Sequence, residues 1–137
     1  MVGEFVVRPV GRVESPLTDR AQAPKQGDEG APDCWLVFEP AMADALRDVR
    51  VGAEVLVLTW FDRASRDVLA VHPRDDESRP LTGVFSTRSP DRPNPVGLHR
   101  VTVLAVAGVR VQVRDLEALD GTPIVDVKPV LDRDTER

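Results

Sequence analysis

The sequence predicts a mainly β fold: a small closed or partly closed antiparallel β-barrel with one short helix and long functional loops. Its apolar runs are of strand length, alternate with period two and are dominated by valine. About eight such runs follow one another, divided by glycine and proline, and only one stretch reads as a helix. Many short strands with almost no intervening helix close most easily as a barrel.

Residues 5–13 (Phe5-Val-Val-Arg-Pro-Val-Gly-Arg-Val13) read as a first, irregular strand. A long polar stretch with Pro16, Pro24, Gly27, Gly30 and Pro32 follows, and structureless segments of that length in a compact domain are usually functional or disordered. Cys34 to Glu39 is a short strand. Pro40 suits the first position of a helix that puts Met42, Leu46 and Val49 on one face. Glu54 to Phe61 is an apolar strand, with Asp67 to Val71 as a candidate hairpin partner. Residues 73–81 form a charged loop, and Thr82 to Thr87 is a strand leading into a proline-rich knuckle. Gly97 to Val106 and Val109 to Leu116 form a hairpin turning near Ala107-Gly108. Ile124 to Val127, between Pro123 and Pro129, is the last strand.

The 137 residues fit one domain, residues 1–131, ahead of a charged tail, 132–137, expected to fray. A chain of this size buries roughly 68% of its unfolded surface, enough for a core without staples. A single cysteine, Cys34, excludes an intramolecular disulfide framework and suits a reducing cytosol. No apolar run approaches the roughly 20 residues that span a bilayer, and the first ten residues lack a secretory apolar block. A soluble cytoplasmic protein is expected. The net charge of -5 argues against a general nucleic-acid coat but leaves room for a local basic patch. Lysine stands only at Lys25 and Lys128, so nearly all positive charge is arginine, whose planar fork suits carboxylate or phosphate.

Residues 82–100, Thr-Gly-Val-Phe-Ser-Thr-Arg-Ser-Pro-Asp-Arg-Pro-Asn-Pro-Val-Gly-Leu-His-Arg, concentrate that chemistry. Arg88, Arg92 and Arg100 face a single acid, Asp91. Pro90, Pro93 and Pro95 fix φ and hold the preceding residues extended, so Asn94 is locked between two prolines. The stretch reads as a binding loop for a ligand with an anionic end and hydrogen-bonding edges. A second constellation is Leu119-Asp-Gly-Thr-Pro123 followed by Asp126-Val-Lys-Pro129. Asp-Gly is a tight-turn signal; the segment is either a plain turn or a turn that offers backbone groups and the Asp120 carboxylate to a ligand. Asp126 and Lys128 share one strand face and are able to pair with each other.

Other chemistries are excluded. His72 and His99 lack ligand spacing, so no metal site is expected. Neither a P-loop nor a Gly-x-Gly-x-x-Gly is present. Ser89, His99 and Asp120 supply the residue types of a hydrolase triad without its elbow motif. Cys34, inside an apolar strand, reads as a buried inert thiol.

The segments Gly83-Val-Phe-Ser-Thr-Arg-Ser-Pro-Asp-Arg-Pro-Asn-Pro-Val-Gly-Leu98 and Leu119-Asp-Gly-Thr-Pro-Ile-Val-Asp-Val-Lys-Pro129 together resemble the TrmO family (TsaA-like or YaeB-like), over residues 5–131. The resemblance implies an S-adenosyl-L-methionine-dependent methyltransferase on a small, homodimeric β-barrel, acting on threonylcarbamoyl-adenosine beside the tRNA anticodon. Carried over residue by residue, it implies cofactor contacts at Pro24, Lys25 and Gln26 (lysine replacing the usual arginine), at Asp62 and Arg63, at Arg88 and Leu98, and at Asp120, Gly121, Thr122 and Pro123. An arginine suits the methionine carboxylate, Asp120 the ribose hydroxyls, and Leu98 the adenine ring.

Arg92, Asn94, His99 and Arg100 are the expected substrate contacts. Asn94, Asp62, Asp120 and Asp126 are candidates for orienting the acceptor or taking its proton. His99 reads equally as a partly exposed strand residue. The chain departs from the family's pattern at His99, where serine is usual, and at Val130, where tyrosine is usual; it contains no tyrosine and stops short of the C-terminal domain of longer bacterial relatives. Those departures motivate two alternatives, a methyltransferase of a small molecule or peptide, and a non-catalytic cofactor- or RNA-binding module.

Overall fold

In a computed structural model that describes residues 3–18 and 33–131, six strands form a closed barrel and two shorter ones a separate ribbon. The strands are β1 (Gly11–Glu14), β2 (Cys34–Phe38), β3 (Glu54–Trp60), β4 (Ala70–Val71), β5 (Thr82–Gly83), β6 (Val96–Ala107), β7 (Arg110–Arg114) and β8 (Pro123–Pro129). Around the barrel the order is β1-β2-β7-β6-β3-β8, and β1 closes the ring on β8 by pairing Gly11 with Ile124. All the pairings are antiparallel.

Alternation explains the core. Side chains two apart on a strand share a face, so Val55 and Val57 of β3, Val101 and Val103 of β6, and Val111 and Val113 of β7 all point inward. They meet Val13, Leu36, Phe38, Leu116 and Ile124 in one buried cluster. Cys34 belongs to it, and burial pushes its thiol pKa up, so it stays a neutral, unreactive thiol. The β6–β7 hairpin turns at Gly108, whose φ of 63° suits glycine.

Several segments differ from the sequence expectation. The apolar start forms no strand; Phe5 and Val6 are exposed, and β1 begins only at Gly11. Pro40–Leu46 is a 3-10 helix that buries Leu46 and packs Met42 against the core, with Val49 just beyond its end. Residues 67–71 do not pair with β3. Only Ala70–Val71 is extended, and it pairs with Thr82–Gly83, after which Val84–Ser86 turns as a 3-10 segment. β3 has no free edge for residue 67 onward, because β6 and β8 occupy both sides of it.

β1 and β2 approach closely at Gly11, where a built Cβ would lie 2.8 Å from the Phe38 Cα and 3.1 Å from the Val37 carbonyl carbon. Replacing Gly11 by alanine is expected to cost about 1–3 kcal/mol through overpacking. Leu36→Ala, at a site only 1% exposed, is expected to cost about 2–5 kcal/mol. Thermal and urea unfolding followed by circular dichroism measures both.

Candidate functional site

One end of the barrel is formed by the close of β3, the start of β6, the start of β8 and the connection from β7 to β8. A cavity of about 570 Å³ opens there, within the range of small-molecule sites. Its wall combines Phe61–Ala64 after β3, the Phe85–Pro90 segment, Leu98 and His99 of β6, and Glu117, Leu119 and Thr122. Arg63, Arg74, Arg79 and Arg88 supply cations, and Phe61, Phe85, Leu98 and Leu119 supply apolar surface.

Arginines hold the proline knuckle in shape. The Arg92 guanidinium donates to the carbonyls of Thr87 and Ser89 at 3.0 Å each, and to that of Val84 at 2.7 Å. Its backbone N–H donates to the Ser65 carbonyl at 3.0 Å, while the Ser65 N–H donates to the Asp91 carboxylate, also at 3.0 Å. Arg66 completes the bracing: it donates to the Pro93 carbonyl and the Asn94 side-chain oxygen, and lies over the Trp60 ring. Three prolines leave few backbone donors in this segment, so guanidinium groups satisfy its carbonyls and weld it to the turn after β3.

Arg88 differs. It is exposed on the cavity wall and, among the described residues, has no hydrogen bond or ion pair. It is therefore available to an anionic ligand group.

The floor is polar. Thr59 and Gly97 are directly opposite across the β3–β6 pair, so both face inward, and His99 follows on the same face. Thr59 Oγ1 lies 2.7 Å from His99 Nε2, and His99 Nδ1 lies 2.6 Å from Glu117 Oε1. The Phe61 ring meets the imidazole edge to face at 5.7 Å. Gly97 makes room for this arrangement: a Cβ there would fall 2.6 Å from the Phe61 ring and 2.7 Å from His99 Nε2, and would collide with Thr59 Oγ1.

The expected site residues divide. Asp62, Arg63, Arg88, Leu98 and Thr122 all line the cavity. Asp120, Gly121 and Pro123 do not. Asp120 accepts from the Ser15 N–H at 3.0 Å and pins the chain after β1, Gly121 makes the turn at φ 83°, and Pro123 starts β8. Pro24, Lys25 and Gln26 lie outside the described residues.

Of the substrate candidates, Arg92 reaches the cavity, but its guanidinium is engaged by the loop carbonyls. Asn94 lies off the cavity against Arg66. Arg100 is one residue from His99 and therefore on the outer face, in a bidentate pair with Glu54 whose hydrogen bonds lower the glutamate pKa. His99 is not partly exposed: it is 2% exposed with both ring nitrogens bonded, and neither Ser89 nor Asp120 is a partner. Asp126 pairs with Lys128 at 3.4 Å and borders a different hollow, under the 3-10 helix.

Thr59 and Glu117 were not anticipated. The available signal was parity, since Thr59 continues the inward series Val55, Val57 as a polar residue. Among the described residues no group of three His, Cys, Asp or Glu side chains is placed to hold a metal, and no helix is long and apolar enough to cross a membrane.

Residues 12–134 match the family of the tRNA-methyltransferase O N-terminal domain. The chain belongs to this TrmO family. It is 44% identical over 126 residues to a probable S-adenosyl-L-methionine-binding protein of Methanothermobacter thermautotrophicus, covering 92% of this chain and 90% of that protein. An S-adenosyl-L-methionine-binding protein of Archaeoglobus fulgidus is 42% identical over 125 residues, with 90% and 88% covered. A second, longer Archaeoglobus fulgidus relative is matched over only 33% of its length at 42% identity. Crystallised TrmO from Pseudomonas aeruginosa superposes with a TM-score of 0.75 at 26% identity, over 94% of this chain and 57% of that one. The chain thus spans little more than half of the crystallised TrmO.

Gly97→Ala is expected to lose about 1–3 kcal/mol of stability and to push Thr59 and His99 apart at the cavity floor. Chemical shifts of the His99 ring, compared between the variant and the parent protein, check this directly.

Proposed function

We propose that this barrel is an S-adenosyl-L-methionine-dependent methyltransferase that N-methylates a modified adenosine, threonylcarbamoyl-adenosine, beside the tRNA anticodon. The observation that carries the reading is the convergence of the two sequence motifs on one cavity: Arg88 and Leu98 from the first, and Leu119 and Thr122 from the second. Those residues fit the cofactor. The free Arg88 fork suits a carboxylate, Leu98 and Leu119 offer apolar surface to a purine ring, and the polar Asp62 and Thr122 suit hydroxyl groups. Bound there, S-adenosyl-L-methionine supplies an electrophilic methyl group on a sulfonium.

The protein's contribution is chiefly positional. A nucleophile held in line at about 3–3.5 Å gains a large acceleration from proximity and orientation. The rigid knuckle braced by Arg92 and Arg66 fixes one wall of the site, and the β3–β6 seam fixes the floor. Arg63, Arg74, Arg79 and Arg88 give this acidic chain a local cationic face for an RNA backbone.

A homodimer in the cytoplasm, built from one barrel domain ending near residue 131, completes the proposal. Phe85, Leu69 and Leu81 are exposed large apolar side chains at 86%, 70% and 64%, Phe85 on the cavity wall, and such exposed apolar surface supports pairing of two copies.

Two measurements test the reading. Titration calorimetry is expected to show binding of S-adenosyl-L-methionine, weakened roughly tenfold or more in Arg88→Ala by loss of a charge-assisted pair. Incubation with methyl-labelled cofactor and bulk tRNA lacking the methyl group is expected to label the RNA. Label on a metabolite or peptide pool would favour the alternative acceptors, and binding without any transfer would favour a non-catalytic module.

A further inference from the structure

Three polar side chains meet at the inner end of the cavity: Thr59 and His99, on inward strand faces that carry valine further along, and Glu117 from the connection between β7 and β8. Thr59 is fully buried and His99 nearly so, among Val55, Val57, Val101 and Val103. Burying polar groups there is tolerated only because each is hydrogen-bonded, and valine would serve a purely packing role. The chain instead builds a relay, Thr59 to His99 to Glu117, with contacts of 2.7 and 2.6 Å.

The relay ends at the ligand space. Glu117 lines the cavity with its side chain 17% exposed, and among the described residues only His99 bonds its carboxylate. A carboxylate only accepts, so His99 Nδ1 carries the proton of that contact, and Nε2 holds the Thr59 hydroxyl at its other side. Asp62 and Asp75 also line the cavity, but both are exposed. Glu117 is held by a buried side chain, His99.

We propose that Glu117 is the proton acceptor of the methyl transfer, and that His99, braced by Thr59, is the positioning residue that aims its carboxylate. The inference rests on the methyltransferase reading. The acceptor nitrogen's lone pair forms the new N–CH3 bond, and the CH3–S bond breaks with its electron pair left on sulfur. The N–H proton passes to a Glu117 oxygen. Charge balances, since the sulfonium loses its positive charge as the carboxylate loses its negative one. The proton then leaves to water through the open cavity.

Glu117→Gln keeps an oxygen for His99 but cannot take the proton. Single-turnover transfer from labelled cofactor to bulk tRNA lacking the methyl group is expected to fall roughly 10²–10⁴-fold. Calorimetric affinity for S-adenosyl-L-methionine should stay within about threefold, and the melting temperature should not move. His99→Leu should slow transfer at unchanged cofactor affinity, and His99→Asn, which keeps a donor near Nδ1, should recover part of the rate. In the free protein, NMR should show a slowly exchanging His99 Nδ1 proton that shifts in Glu117→Gln.

A Glu117→Gln variant that transfers at the parent rate overturns the inference and leaves the methyltransferase reading standing. So does one whose loss follows a collapse of cofactor affinity or melting temperature. Parent protein that transfers nothing to that RNA overturns the tRNA reading, and the inference falls with it.

Discussion

One antiparallel seam, Glu54–Trp60 of β3 against Val96–Thr102 of β6, orders both the barrel and the cavity at its end. Its register puts Val57 and Val101 into the core and, nearer the rim, brings Thr59 opposite Gly97. The missing side chain at Gly97 leaves the volume in which His99 leans onto Thr59. A slip of one residue would turn all of these outward together. The strand pairing that makes the core therefore also makes the floor of the site.

Beyond the seam, the site's wall is irregular backbone, which needs partners for its carbonyls wherever water is excluded. Arg92 and Arg66 provide them, tying residues 84–95 to the turn after β3. Most of the positive charge that marks this stretch is thus structural. Within this stretch, and among the described residues, Arg88 is presented to the cavity without being engaged by the knuckle. A loop held by this many contacts is preorganised, and preorganisation is what a positional mechanism requires.

The barrel was legible because valine alternation survives tertiary context in β3, β6 and β7. The short ribbon was not, because two-residue strands such as Ala70–Val71 carry no period. Phe5 to Val7 misled in the opposite way, showing strand-like composition but pairing with no edge among the described residues. In the site, the two motifs were visible as unusual chemistry, and five of the expected cofactor residues do share a cavity. The roles inside them were not visible. Whether Arg88, Arg92 or Arg100 is free depends on which carbonyl or carboxylate each meets, and those acceptors are tertiary facts. Glu117 went unnoticed since nothing local distinguishes it from a solvated acid, although the inward parity of Thr59 and His99 was there to be read.

Besides the hollow at the arginine-lined end, the described residues form another beneath the 3-10 helix, bordered by Met42, Leu46 and Asp126. Backbone amide shift mapping during titration with S-adenosyl-L-methionine chooses between them. Perturbations gathered at residues 61–64, 86–90, 97–99 and 117–122 are the predicted result. Perturbations gathered instead at residues 42–49 and 126–127, or no saturable shift anywhere, would contradict the account.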